Sequence, residues 1–168
     1  MNENECREIY REAFGDDGGF EDRLFSLCGE YCRTAMCGGK TAALLFALPC
    51  IIITRTERFD AFYLYAAATK KIYRGKGYMS GLIRDLIKEG KPIFLKPEKD
   101  GLISFYERLG FERFTAVTRG KKLKTALPAG GFSALSATEP QAAELSYTAM
   151  CTGSSVKLDG LCFPYIME

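Results

Sequence analysis

Apolar positions recur along the chain with two periods, helical and strand-like, separated by short polar breaks. From Glu3 to Phe14, Cys6, Ile9, Tyr10 and Ala13 share one face, which predicts a helix. After Gly15-Asp16-Asp17-Gly18-Gly19, a second helix is predicted over Phe20–Cys28, with Phe20, Leu24, Leu27 and Cys28 in register and Gly29 as its stop. Tyr31–Cys37 and Thr41–Leu48 flank Gly38-Gly39, a two-residue hairpin signal. Cys50–Thr54 is expected to form a short β-branched strand, Glu57–Asp60 a turn, and Ala61–Thr69 a further strand. Residues 69–81 make a basic, glycine-containing turn into a helix over Tyr78–Glu89, whose buried stripe is Leu82, Ile83, Leu86 and Ile87. Gly90 ends that helix, and Ile93–Lys96 is a short buried strand. Asp100 is the expected N-cap of a helix through Leu109, closed by Gly110, and Phe111–Arg119 is another strand. Beyond Lys124 the pattern loosens. Leu127–Gly131 is a loop, Glu139–Met150 is expected to be helical, and apolar Leu161–Met167 is either a last strand or the start of a further region.

The strand–helix–strand–helix–strand order in the second half predicts α/β layering. With 168 residues, 47% hydrophobic and 26% charged, the chain can bury one substantial core. Its longest apolar stretch, Thr41–Thr54, is interrupted by Pro49 and too short to cross a membrane. The polar, acidic N-terminus does not resemble a signal peptide, so the cytoplasm is the expected compartment. A net charge of +2 gives no reason to expect a nucleic-acid partner. Seven cysteines contain no CxxC and histidine is absent, so no metal site is expected. The lack of histidine also removes the commonest general base and the Ser/His and Cys/His nucleophile pairs.

The candidate chemistry lies in the basic turn after Thr69. A strand, a glycine-containing turn and a helix can hold an anion on the helix N-terminus, where free amides and the macrodipole favour negative charge. Two nucleotide motifs fail there and elsewhere. Gly38-Gly39-Lys40-Thr41 ends like a P-loop, but Thr34 stands where its first glycine belongs and a strand follows. Gly75-Lys76-Gly77 supplies only the first two glycines of GxGxxG, and Lys96-Pro97 occupies the place of the acidic ribose ligand.

Arg74-Gly75-Lys76-Gly77-Tyr78-Met79 instead resembles the acyl-CoA pyrophosphate loop [Q/R]-x-x-G-x-[G/A] of the GNAT (GCN5-related N-acetyltransferase) superfamily, with Met79 at the last, small position. Phe105-Tyr106-Glu107-Arg108-Leu109-Gly110-Phe111 resembles a second GNAT signature, xYExxGF, and lies 32 residues past Arg74. Lys99 stands where the family often has Asn. The resemblance covers about residues 40–115, and the element order of 1–40 agrees with it. It implies an α/β (α+β) fold, a mixed central sheet flanked by helices with splayed parallel strands at the cofactor site. Residues 1–124 would be the acyl-CoA-binding domain and 125–168 a C-terminal extension, either a final strand or part of a second region. The segment Phe62–Arg74 also resembles the longer, multidomain enhanced-intracellular-survival group of aminoglycoside acetyltransferases.

The resemblance implies roles residue by residue. Backbone groups of Ala67, Ala68 and Thr69 would pair with the pantetheine arm of acetyl-CoA between splayed strands Ala61–Thr69 and Ile93–Lys96. Amides of Gly75, Lys76, Gly77, Tyr78, Met79 and Ser80 would hold the pyrophosphate, with Arg74 and Lys76 adding charge. Lys70 and Lys71 are read as a solvated basic turn. Tyr106, neutral at pH 7 with a reference pKa near 10, would protonate the departing thiolate. Glu57, Asp60, Glu98 and Glu107 are the candidate bases, and an amide near Ala67 or Ala68 would stabilise the oxyanion. The implied function is an acyl-CoA-dependent N-acyltransferase, with acetyl the expected group and a small-molecule or peptide amine the acceptor. A non-catalytic acyl-CoA-binding or sensing module is the alternative. The apolar tail Leu161–Met167 also raises a homodimer.

Overall fold

A computed structural model describes residues 2–15, 19–53, 58–118 and 145–152. Its elements run α1 (Glu3–Phe14), α2 (Phe20–Cys28), β1 (Cys32–Cys37), β2 (Lys40–Ile53), β3 (Arg58–Thr69), α3 (Tyr78–Lys88), β4 (Ile93–Leu95), α4 (Ile103–Glu107), β5 (Glu112–Thr118) and β6 (Leu145–Thr152). The strands form one six-stranded sheet in the order β1-β2-β3-β4-β6-β5. Among the described strand pairs only β3–β4 is parallel.

The long apolar stretch 41–54 is legible once β2 is seen to be covered on both faces. Leu44, Phe46 and Leu48 face α1 and α2, whereas Leu45 and Ala47 face α3 and α4. A strand buried on both sides shows an apolar run rather than alternation. Tyr63 continues the first core, and Phe62, Leu64, Ile93, Leu95 and Met150 continue the second.

The expected break at Pro49 does not occur. β2 runs through it, because β1 pairs with β2 only as far as Phe46 and Pro49 therefore sits where that edge is open. Arg58–Asp60 extend β3 opposite Ile51–Ile53 instead of forming a turn. Gly29 has φ −55° and begins a single 3₁₀ turn (Gly29–Tyr31) rather than capping α2 in the left-handed region. Asp100 likewise begins a 3₁₀ turn that leads into α4, so it is not an N-cap. On α2, Phe25 is buried and Leu27 is exposed.

The largest difference is β6. Leu145–Thr152 is a strand, not a helix, and lies between β4 and β5, pairing Leu95 with Met150 and Glu112 with Cys151. Long-range pairing outweighs the helix propensity of Glu, Gln and Ala in the preceding residues. The sheet thus takes a strand from beyond residue 124. The expected loop at Leu127–Gly131 and the apolar tail Leu161–Met167 lie outside the described residues. Among the described residues no helix is long and apolar enough to cross a membrane, and no cluster of three or more metal-ligating side chains occurs.

α1 is fastened to the rest at both ends. Near its start, the Glu5 carboxylate accepts from the Thr41 N–H and hydroxyl, both at 2.8 Å. On its outer side, buried Glu21 of α2 takes Arg7 at 3.1 Å and Arg11 at 2.7 Å. The two bonds from Thr41 hold the Glu5 carboxyl below its ordinary value of 4.5. A lowered folded-state value means a stabilising contribution that is complete above pH 4.5 and lost as pH falls through the folded value. Glu5→Gln should therefore melt below wild type at pH 7 and lose less on acidification; thermal melts from about pH 3 to 7 check this. Parallel melting curves for the two proteins would count against it.

Candidate active site

The site grows from the one parallel pair in the sheet. β3 and β4 are in register only at Phe62 with Ile93 and Tyr63 with Phe94. Beyond that point β4 pairs through Leu95 with Met150 of β6, and β3 from Leu64 onward has no strand partner on this side among the described residues. The far half of β3 also carries a bulge. Between Phe46↔Tyr65 and Leu44↔Ala68 it advances three residues against two on β2. Ala66 takes φ +48°, a left-handed conformation that costs an alanine about 1 kcal/mol. The bulge bends the strand and takes backbone groups out of the ladder where the strands part.

Past Thr69 the chain makes a 3₁₀ turn (Lys71–Tyr73) and enters α3 through Gly75 and Gly77, at φ +74° and +84°. A Cβ at either glycine would meet nothing within 4 Å, so the cradle opens on free space. Gly77 is the N-cap of α3 and no side chain caps the helix. The N–H groups of its first turn are therefore available to an anion, with the positive end of the dipole behind them.

The basic residues around this loop divide into two groups. Lys70 is tied back, its Nζ 3.2 Å from Glu8 and its N–H donating to the Ala42 carbonyl at 3.0 Å. The Lys71 N–H donates to Glu12 at 2.6 Å. Arg74 Nε donates to the Thr69 carbonyl at 3.0 Å, and Arg74 lines the larger cleft. Lys76 lies 5.5 Å over the Tyr73 ring. The Tyr78 hydroxyl hydrogen-bonds Cys37 of β1, and that bond, with desolvation, raises its pKa. Met79 packs on the core beneath α3 and also borders the larger cleft beside Gly75 and Gly77.

Two cavities meet along the splay. The larger, about 730 Å³, runs from Ala67–Thr69 past Arg74, Gly75 and Gly77 to Met79 and Ser80. The smaller, about 360 Å³, lies on the α1 side and is lined by Tyr10, Tyr63, Tyr65, Ala66 and Lys96. Phe14, Ala67, Glu98, Leu102 and Tyr106 line both. Tyr106 thus stands at the junction, held between Phe105 at 5.1 Å and Phe111 at 5.5 Å, and only 7% exposed. Burial, then the nearby Glu98 charge, pushes its pKa up to about 12. It therefore keeps its proton throughout the neutral range.

The candidate carboxylates separate clearly. Glu98 borders the junction, 3.6 Å from Lys99. Asp60 is exposed on the first half of β3 and lines neither cavity. Glu107 is held by Arg113 at 2.5 Å, away from both. Glu57 lies outside the described residues. The sequence assigned no site role to the aromatic wall of Tyr10, Phe14, Tyr63 and Tyr65, nor to Lys96 and Leu102 beside it. A signal for part of it existed, since Tyr63 and Tyr65 alternate with Leu64 along the strand.

Comparison with protein-family models and with curated proteins gives no match. Solved structures do match. A Corynebacterium glutamicum histone acetyltransferase HPA2 and related acetyltransferase aligns at TM-score 0.58 and 16% identity, over 94% of this chain and 95% of that one. A probable N-acyltransferase from Enterococcus faecalis aligns at 0.56 and 19%, and Eis1 from Mycobacterium abscessus at 0.52 and 15%. These two cover 70% and 67% of this chain, which spans only 34% and 30% of their lengths.

Proposed function

We propose that this chain, whose fold is that of the GCN5-related N-acetyltransferases, is an acyl-CoA-dependent N-acyltransferase that passes acetyl from acetyl-CoA to a primary amine by direct attack. The observation that carries the reading is the continuity of three features: the splayed β3–β4 gap, the uncapped start of α3, and Tyr106 where the two cavities meet. The glycine cradle, with its free space and free amides, fits a pyrophosphate. The edge of β3 at Ala67 and Ala68, which has no strand partner toward β4 among the described residues, fits an extended amide-bearing arm laid along it, while the Thr69 carbonyl is already taken by Arg74 Nε. When bound, acetyl-CoA supplies the activated acyl group.

The protein's own residues then position groups and move protons. In this reading an amide of the bulged segment near Ala67 or Ala68 stabilises the oxygen charge developing at the acyl carbon. Tyr106 lends a proton to the departing sulfur. At a pKa of about 12 it is a far weaker acid than a thiol, whose reference value is about 8.5, so it does not surrender that proton outright. It passes the proton on as it regains one from the nitrogen that has attacked. Glu98, at the same junction, is the carboxylate placed to take the first proton from the incoming ammonium. We place the reaction in the cytoplasm, and free thiols at all six described cysteines fit a reducing compartment.

Thiol release from acetyl-CoA should appear when the protein is given a panel of aminoglycosides, polyamines, simple amines, amino acids and peptide N-termini. Tight CoA binding without turnover on any of them would move the reading to a non-catalytic acyl-CoA-binding module.

A further inference from the structure

The α1 side of the cleft narrows the acceptor. At about 360 Å³ it is near the low end for ligand pockets, roughly 300–1,000 Å³. Its walls are mainly aromatic and aliphatic, with Tyr10 and Phe14 from α1 facing Tyr63 and Tyr65 from β3. Phe14 and Leu102, at 40% and 37% exposure among the most exposed large apolar side chains described, both stand where the two cavities meet. Glu98 and Lys96, one acidic and one basic, are the only residues of a charged type among its described lining residues. The chain as a whole, at +2, exerts no long-range pull on a polycation.

A polyamine or aminosugar would bring several ammonium groups to one carboxylate. Each further ammonium would lose hydration with no second carboxylate among the described residues of this pocket, and the aromatic faces would offset only part of that cost. Glu98, whose side chain is 62% exposed and paired with Lys99 at 3.6 Å, can exchange that surface partner for a single ammonium on an apolar body.

We propose that the acceptor is a small primary monoamine on a flat, apolar body, its ammonium against the Glu98 carboxylate and its body against Tyr10, Phe14, Tyr63 and Tyr65. This rests on the N-acyltransferase reading. Glu98 takes one proton from the ammonium, and the freed lone pair forms the N–C bond to the acyl carbon. The C–S bond breaks with its electron pair on sulfur, which takes the Tyr106 proton. The second nitrogen proton restores Tyr106. The products are an amide, a thiol and one proton, which Glu98 returns to solvent.

The full chain is assayed for thiol release from acetyl-CoA with 2-phenylethylamine, spermidine and kanamycin. We expect kcat/KM for 2-phenylethylamine to exceed the other two by at least about 10-fold. In Glu98→Gln we expect the KM for this amine to rise about 10-fold while the KM for acetyl-CoA moves less than about 2-fold. Equal or better use of spermidine or kanamycin overturns the proposal, as does an unchanged amine KM in Glu98→Gln. Both leave the acyltransferase reading standing, because thiol is still released. Thiol release with none of the three overturns the acceptor class, and only failure across the wider panel overturns the acyltransferase reading too.

Discussion

Tyr106→Phe lowers kcat for amine acylation by about 100-fold or more, the range expected when a positioned acid is lost, and leaves CoA affinity within about 2-fold. The substitution removes one oxygen and keeps the ring. Packing against Phe105 and Phe111 therefore survives, and so does the shape of the junction between the cavities. What disappears is the proton that burial keeps on the phenol at neutral pH. The sulfur must then leave unprotonated or wait for water. Stopped-flow thiol release gives the rate and calorimetric titration with CoA gives the affinity. A kcat within about 3-fold of wild type would remove Tyr106 from the chemistry. A matching loss of CoA affinity would make it a wall residue instead.

Gly77→Val weakens CoA binding by about 10- to 100-fold. Gly77 sits at φ +84°, where a side chain pays about 1–2 kcal/mol in strain, and valine's branched Cβ adds to that. The added methyl groups would also occupy the open space of the cradle, where an anion has to approach the α3 amides. Every 1.4 kcal/mol is a tenfold change in Kd, so a turn that relaxes this strain when free must take it up again on binding, and crowding adds to that loss. Gly81→Ala is the matched control. It lies one turn further into α3 with ordinary backbone angles and nothing within 4 Å of a new Cβ, so it leaves CoA affinity unchanged and gains up to about 1 kcal/mol of stability. Equal weakening by both substitutions would mean that general damage to α3, not the cradle, governs binding.

How much of this the sequence reveals depends on whether the signal is local. The Gly38-Gly39 turn is a purely local requirement, and both residues take positive φ, at 55° and 77°. The amphipathic faces of α1 and α3 are equally local, and Ile9, Tyr10, Ile83 and Leu86 are buried as expected. β6 is not local. Its residues are strand only because the gap between β4 and β5 accepts them, and a segment preceded by Glu, Gln and Ala carries no mark of that. The bulge at Ala66 is invisible for the same reason, since it exists only relative to the register of β2. At the site, the backbone elements could be placed from Arg74–Ser80 and Tyr106, whereas selection among the carboxylates needed geometry. Glu57, Asp60, Glu98 and Glu107 are alike in sequence; among those described, only Glu98 borders both cavities. The aromatic wall joins α1 to β3 across about fifty residues of chain, a separation that no periodicity encodes.

The central claim is that one continuous cleft takes CoA, with the pyrophosphate on the start of α3 and the pantetheine arm along β3. Backbone amide NMR of the labelled chain during titration with CoA tests it most directly. The account predicts saturable shifts confined mainly to Gly75–Ser80 and Ala67–Thr69, at one CoA per chain. Saturating CoA that leaves these amides unmoved, or shifts that cluster elsewhere on the sheet, would contradict it.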